Sequence, residues 1–373
     1  MRNVHLIDES GGRFPWQPTG RTAPPPPAQP ITSRVAYAAA HVVADPTRPG
    51  QLDWEATLAF RHYLWDQGLG VAEAMDTAQR GMGLGWDLAR ELIIRTAAEA
   101  GARGTAAVFG VATDQLTGPA HLEQIEVAYR EQLAVVEEAG GEAIVMASRA
   151  LVDAASGPED YLGVYRAVIG AAQRPVMIHW LGEVFDPALS GYWGSNDPWQ
   201  AAKTVIELAQ AFPDRIKGIK ISLLDDALEI HLRRNLPSGV EVFTGDDFNF
   251  MPLVLGDETG HSHALLGVFD PIAPVAAQAL AALDRGDREA YRRWLEPTVP
   301  FSRHLFTAPT YHYKTGITFL AYLNGHQDHF RMLGGVETAR SLPHLCQLLV
   351  LADQASLLRD PDLAVSRIED LLP

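Results

Sequence analysis

Residues 175–222, PVMIHWLGEVFDPALSGYWGSNDPWQAAKTVIELAQAFPDRIKGIKIS, hold two short apolar runs, Pro175–Trp180 and Ile216–Ser222, on either side of a longer run, Pro198–Ala211. The outer runs have strand length, and the middle one has the length and apolar spacing of a helix. A helix placed between two strands brings them side by side in parallel, which is the repeating unit of an α/β fold. Read with a two-residue period, Ile216, Gly218 and Lys220 share one face of the second strand, and Ile219 and Ile221 the other. Lys220 therefore stands among apolar residues near the strand's end. A buried ammonium is costly unless the amine loses its proton or finds a partner, and a lysine so neutralised is a nucleophile that forms a Schiff base with a carbonyl compound. The alternative is a lysine whose stem snorkels to solvent, or which pairs with Asp225 or Asp246.

Outward from this unit the same alternation continues. Strand candidates are Arg34–Val43, Gly70–Met75, Gly104–Ala112, Glu142–Ala147, Pro175–Trp180, Ile216–Ser222, Val240–Thr244 and His263–Phe269. Helix candidates between and after them include Trp54–Asp66, Trp86–Glu99, His121–Ala139, Glu159–Ala172, Pro198–Ala211, Asp247–Leu255 and Pro271–Leu283. Eight strands, each followed by a helix, is the count that closes a (β/α)8 TIM barrel. An open doubly wound sheet would carry a Gly-rich phosphate loop after its first strand, but ADPTRPGQLDW follows Val43. The expected organisation is an extended proline-rich arm over 1–30, the barrel over 31–285, and a C-terminal helical extension over 286–373. In the extension, Arg288–Leu295, Gly316–Leu323 and Leu342–Leu358 read as helices that pack outside the closed barrel.

The chain has 373 residues, 47% hydrophobic and 20% charged, ordinary for a globular enzyme with a large core. Its net charge of −16, with no dense Lys/Arg block, argues against a nucleic-acid partner. The single cysteine, Cys346, excludes an internal disulfide and lies in an apolar run, as a packed core thiol does. With no secretory leader pattern and no apolar run of about 18 residues, the expectation is a cytoplasmic protein without a membrane partner.

In such a barrel, chemistry gathers at the C-terminal ends of the strands. The polar residues there are His41, Glu73, Asp76, Thr113, Asp114, Ser148, Arg149, His179, Lys220, Ser222, Thr244, Asp246, Asp247 and Asp270. Some have structural readings: His41 as a hydrogen-bonded core histidine, Asp246 or Asp247 as an N-cap, and Asp270 as a cap before Pro271. Glu73 sits mid-strand, where an unpaired carboxylate would be costly, so a bound or paired role is expected. His179 ends the strand next to that of Lys220, so the two side chains should meet across the mouth, and imidazole titrates in the range needed to pass protons. The loop Gly182–Asp197, rich in Gly, Pro and aromatic residues, must lie on the same side and reads as a lid.

Three local matches resemble the dihydrodipicolinate synthase and N-acetylneuraminate lyase family of class I aldolase-type barrels. GIKIS resembles the family's Schiff-base lysine strand, PVMIHWLG its fifth-strand motif, and FTGDD its seventh-strand Gly-Asp-Asp segment. The chain has His179 where the family usually has a tyrosine, and AMDTAQRGMG where it usually has a Gly-Thr-Thr-Gly-Glu carboxylate-binding loop, so that only Thr77 offers a matching hydroxyl. The resemblance implies imine formation at Lys220, no cofactor, and a dimer or tetramer.

The resulting expectation is a lyase, aldolase or dehydratase acting on a small 2-oxo acid or keto-sugar derivative. Lys220 forms the imine and His179 shuttles protons. Thr77, Ser222, Gly245 and Asp246 orient the small-molecule carbonyl substrate, while Glu73, Asp76 and His41 bind it. Two other readings stay open. One is a metal-dependent sugar isomerase or epimerase using His41, Glu73, His179, Asp246 and His263. The other is a non-catalytic sugar-binding barrel.

Overall fold

The computed structural model describes residues 3–373. Two short strands, β1 (Val4–Ile7) and β2 (Arg13–Trp16), pair antiparallel at the start of the chain. Eight parallel strands follow: β3 (Ala36–Ala39), β4 (Gly70–Glu73), β5 (Ala107–Val111), β6 (Glu142–Val145), β7 (Val176–Leu181), β8 (Ile216–Ser222), β9 (Glu241–Thr244) and β10 (His263–Leu266). They pair in chain order, and β10 returns to β3 through Ala264 and Ala36 to close the barrel. Every barrel strand falls within or beside an apolar run read from the sequence, whereas β1 and β2 form a hairpin in the stretch expected to be only an extended arm; each helix between the barrel strands turns its apolar stripe onto their outer face.

Alternation along the strands divides the core in two. Tyr37, Ala39, Ala72, Val108, Ile144, Met177, Phe243 and Leu265 fill the barrel interior. The residues between them, such as Ala38, Val71, Phe109, Val145, Ile178 and Ile219, join the layer beneath the helices. One departure from strict alternation lies in β8. Its register against β7 shifts between Val176 and Met177, so Val176 meets Ile216 and Met177 meets Gly218. That bulge returns Ile216 to the outer layer with Ile219 and Ile221, while Gly218, Lys220 and Ser222 face inward. Gly218 is inward for a steric reason, since a Cβ there would lie 2.7 Å from the Phe243 ring.

A helix is expected after each barrel strand, though no apolar run marks its bounds after the sixth; the crossover there contains Asp226–Asn235, with Asp225 accepting from Leu228 N at its N-cap. Its sequence, DALEIHLRRN, is mostly polar and buries only Leu228, Glu229 and Leu232, which hides the stripe. After the barrel come five helices: Arg288–Leu295, Thr298–Leu305, Tyr313–Leu323, Leu342–Gln354 and Pro361–Glu369. The N-terminal arm lies on this extension: Arg13 donates to Pro373 O (2.9 Å), Thr19 Oγ1 to Asp353 Oδ1 (2.8 Å) and Ala23 N to Leu358 O (2.8 Å). Every residue of Tyr313–Leu323 is buried. This helix starts over the barrel mouth, where Gly267 comes so close that a Cβ would stand 3.2 Å from the Tyr313 ring and 3.5 Å from Thr77 Oγ1. No helix among the described residues is long and apolar enough to cross a membrane.

Candidate active site

The site is built on β7 and β8. Their register places His179 directly beside Lys220, and Leu181 beside Ser222. Lys220 is only 4% exposed. Among the described residues its amine makes no hydrogen bond or ion pair, and Asp76 and Asp247 act on it only through their charge. Burial lowers its affinity for a proton below that of a free lysine, and the two carboxyls offset only part of this. Space for the side chain comes from Gly245, at the end of β9. A Cβ there would fall 2.1 Å from Ser222 Oγ and 2.8 Å from Lys220 Cε. Ser222 Oγ also lies 3.0 Å from His179 Nε2, so a serine hydroxyl links the imidazole to the volume that the lysine occupies. His179 is fully buried with Nδ1 unpartnered. Burial and the neighbouring lysine hold it well below the usual imidazole range, so it is neutral and able to accept a proton.

Opposite this pair stands Asp76, in the single 3₁₀ turn Asp76–Ala78 that follows β4. Burial acts to raise its carboxyl, but Lys220, Lys314, His179 and the Tyr313 hydroxyl outweigh that and keep it below the usual carboxylate range. Tyr313 donates to Asp76 Oδ2 at 2.7 Å and shares a 2.8 Å hydrogen bond with Thr77 Oγ1. Asp247 is also close enough to act on Lys220, but its burial prevails: its carboxyl is pushed up to about 8 even as it accepts from Val268 N at 2.8 Å. Two carboxyls beside one lysine thus differ in charge, Asp76 ionised and Asp247 held toward the protonated form, a separation set by environment alone.

Of the residues read from the sequence, Lys220, His179, Ser222, Gly245, Asp76 and Thr77 meet at the mouth. Four do not join them. Glu73 is saturated on the outer side of its strand: Arg61 binds it through Nε (2.7 Å) and Nη2 (2.9 Å), Thr96 Oγ1 donates at 2.7 Å and Ala74 N at 2.9 Å. Asp246 folds back on its own turn, accepting from Phe248 N, Asn249 N and Asn249 Nδ2, each at 2.9 Å. His41 binds Asp270 Oδ2 through Nδ1 at 2.8 Å and packs on Phe60, while His326 of the extension also stacks on that phenylalanine. His263 lies at the other end of its strand, near Glu241. The five residues that a metal site would have required are thus dispersed, and among the described residues no three His, Cys, Asp or Glu side chains are grouped to hold a metal ion.

Tyr313 and Lys314 escape the sequence reading, which takes the helices of the extension to pack outside the barrel; no local pattern marks them. Asp247 was noted at its strand end, but its neighbour Asp246 was preferred.

Beside Asp76 a cavity of about 950 Å³ opens, with Asp76, Met82, Ser148, Arg149, Phe185 and Lys314 in its wall. The loop after β7 closes one side and is firmly packed. Phe185 meets the rings of Phe306 and Tyr313, and Tyr192 Oη accepts from Ser148 N (3.1 Å) within a cluster that includes Tyr165 and Trp193. The aromatic residues anchor it to the barrel rather than solvate it.

The barrel fold has counterparts among solved structures. The chain matches dihydrodipicolinate synthase from Aquifex aeolicus with a TM-score of 0.68 and 16% identity, over 88% of this chain and 100% of that one. It matches a prophage protein of the dihydrodipicolinic acid synthase family from E. coli K12, solved in complex with pyruvate, with a TM-score of 0.69 and 17% identity, over 87% and 99% of the two chains. A putative dihydrodipicolinate synthetase from Pseudomonas aeruginosa matches at 0.65 and 17% identity, over 85% and 100%. These likenesses establish the fold and bear out the resemblance drawn from GIKIS, PVMIHWLG and FTGDD at that level. No curated protein matches the chain. A family model does match it, over residues 4–373, and the chain belongs to that family, described as "Protein of unknown function (DUF993)".

Proposed function

We propose that the protein is a Schiff-base-forming lyase, of aldolase or dehydratase type, acting on a small carbonyl compound of the 2-oxo acid or keto-sugar class. The observation that carries this reading is Lys220: an amine buried at the C-terminal end of a barrel strand, with no hydrogen bond or ion pair among the described residues and a lowered proton affinity. A lysine kept that way has no structural task that a methionine would not perform better, and it is poised to attack a carbonyl.

In the proposed sequence, neutral Lys220 Nζ adds to the carbonyl carbon. A C–N bond forms and the oxygen, protonated twice, departs as water, leaving an iminium. That cation draws the electron pair of a C–C or C–H bond at the adjacent carbon into an enamine; in a dehydratase the enamine formed by loss of the proton then expels a hydroxyl from the next carbon, which takes up a proton and leaves as water. Protonation at that carbon and hydrolysis then return the free lysine. His179, neutral and linked through Ser222 to the lysine's surroundings, takes and returns the protons. Asp76 stabilises the positive charge that develops at Nζ, and Tyr313 holds Asp76 in place.

Exchange of hydrogen at the adjacent carbon is the simplest partial reaction of this cycle. In D₂O, proton NMR of a panel of oxo acids and keto sugars should show enzyme-dependent loss of that signal for at least one compound, abolished in Lys220→Met. Exchange that persists in Lys220→Met would remove the imine from the account.

A further inference from the structure

Lys314 is a second buried amine, in the wall of the cavity beside Asp76. It is 4% exposed, and its only hydrogen-bond acceptor among the described residues is the thioether of Met82, at 3.2 Å, a weak acceptor for an ammonium. Its ammonium also lies 5.4 Å from the centre of the Tyr313 ring. No carboxylate pairs with it directly; Asp76 and Asp186 act on it through their field, against the burial that lowers its proton affinity. The other charges of the cavity wall are spoken for. Arg80 pairs with Asp114 (Nε to Oδ2, 2.9 Å) and Arg149 with Asp186 (2.7 Å), while Asp153 is exposed at the rim.

Lys314 thus stands in the cavity wall with Asp76, whose charge acts on both amines without a hydrogen bond to either. An anion entering the cavity would give the Lys314 ammonium the strong acceptor that the Met82 thioether is not. Lys314 is also the second residue of an eleven-residue helix, whose N-terminal end favours negative charge.

We propose that Lys314 holds an anionic group of the substrate, a carboxylate or phosphate, while Lys220 engages its carbonyl, so that the C-terminal extension supplies substrate recognition to the barrel. This rests on the assignment of Lys220 as the imine-forming residue. It names the substrate class as an oxo compound bearing a negative group on the side of the carbonyl that faces Asp76.

The test uses the full chain and two probe pairs that differ mainly in the anion: hydroxyacetone against pyruvate, and dihydroxyacetone against its monophosphate. Adducts at Lys220 are trapped with borohydride and quantified by mass spectrometry against probe concentration. In the wild type, the charged member of at least one pair should reach half-maximal trapping at a concentration at least tenfold lower. The pair that does so distinguishes carboxylate from phosphate. In Lys314→Met that ratio should collapse toward one, and Lys314→Arg should retain part of it. A wild type without preference, a ratio unchanged in Lys314→Met, or an adduct on Lys314 itself would overturn the proposal. If Lys220 is never trapped, the imine reading fails separately. The anion site is then judged by calorimetric titration of inorganic phosphate and malonate: binding lost in Lys314→Met but kept in Lys314→Arg sustains it, and no binding to the wild type ends it. Should Lys314→Met not fold, Lys314→Gln takes its place.

Discussion

Gly245 and Lys220 occupy one volume: a Cβ on the glycine of the β9 end would stand 2.8 Å from Lys220 Cε on β8. The same Cβ would also meet Ser222 Oγ and, at 3.0 Å, the carbonyl oxygen of Ile221, which is backbone and cannot step aside. Gly245→Ala should therefore displace the lysine and sever the Ser222 link to His179. We expect a loss of stability of about 1–3 kcal/mol from overpacking, with imine trapping at Lys220 reduced at least tenfold in the molecules that remain folded. Urea denaturation followed by trapping on the native fraction checks both; undiminished trapping would mean that the glycine serves only the turn.

A lysine kept for chemistry should cost stability. Lys220→Met retains the length of the side chain and removes a buried, unpaired amine, so we expect the variant to be more stable by about 1 kcal/mol while forming no adduct. A calorimetric scan showing lower stability would indicate that the amine contributes to the fold.

The pH dependence of trapping follows from the charges around Nζ. Only the neutral amine attacks, and burial lowers its proton affinity, so the trapping rate should rise with pH through an apparent midpoint below that of free lysine. Asp76 works in the opposite direction by favouring the ammonium. Asp76→Asn should therefore move the midpoint to still lower pH, and a shift to higher pH would contradict the arrangement. The measurement is the initial rate of borohydride-trapped product across pH 6–10, about the range in which such a midpoint is readable.

Glu73 offers a contrast. Its carboxylate is fully engaged by Arg61, Thr96 and the Ala74 amide, away from the lysine. Glu73→Ala leaves a buried guanidinium unpaired and should cost about 3–5 kcal/mol, yet trapping at Lys220 per folded molecule should stay near that of the wild type. A selective loss of trapping at unchanged stability would return Glu73 to the site.

The barrel was legible because each of its strands is a short apolar run bounded by polar residues, and because strand–helix alternation admits few topologies. His179 and Lys220 were legible for a related reason, since parallel register between neighbouring strands is fixed by the crossover. What escaped was set by contacts distant in sequence. Tyr313 and Lys314 reach the mouth only because their helix is buried between the barrel and the outer helices, and no local pattern shows where an appended helix docks. Of the two roles open to Glu73 the paired one is seen, but its partner Arg61 is not legible, because a charge on the preceding helix reads as solvent-facing. Asp246 and Asp247 are adjacent, and which of them turns inward depends on the turn that Asp246 itself caps.

The most direct measurement is reduction by borohydride in the presence of 2-oxo acids and keto sugars, followed by mass spectrometry of the intact protein and its peptides. A single stable adduct is expected on the peptide carrying Lys220, with a mass increase equal to the carbonyl compound less one oxygen, and none in Lys220→Met. Absence of any adduct across the panel, or an adduct confined to another lysine, would contradict it.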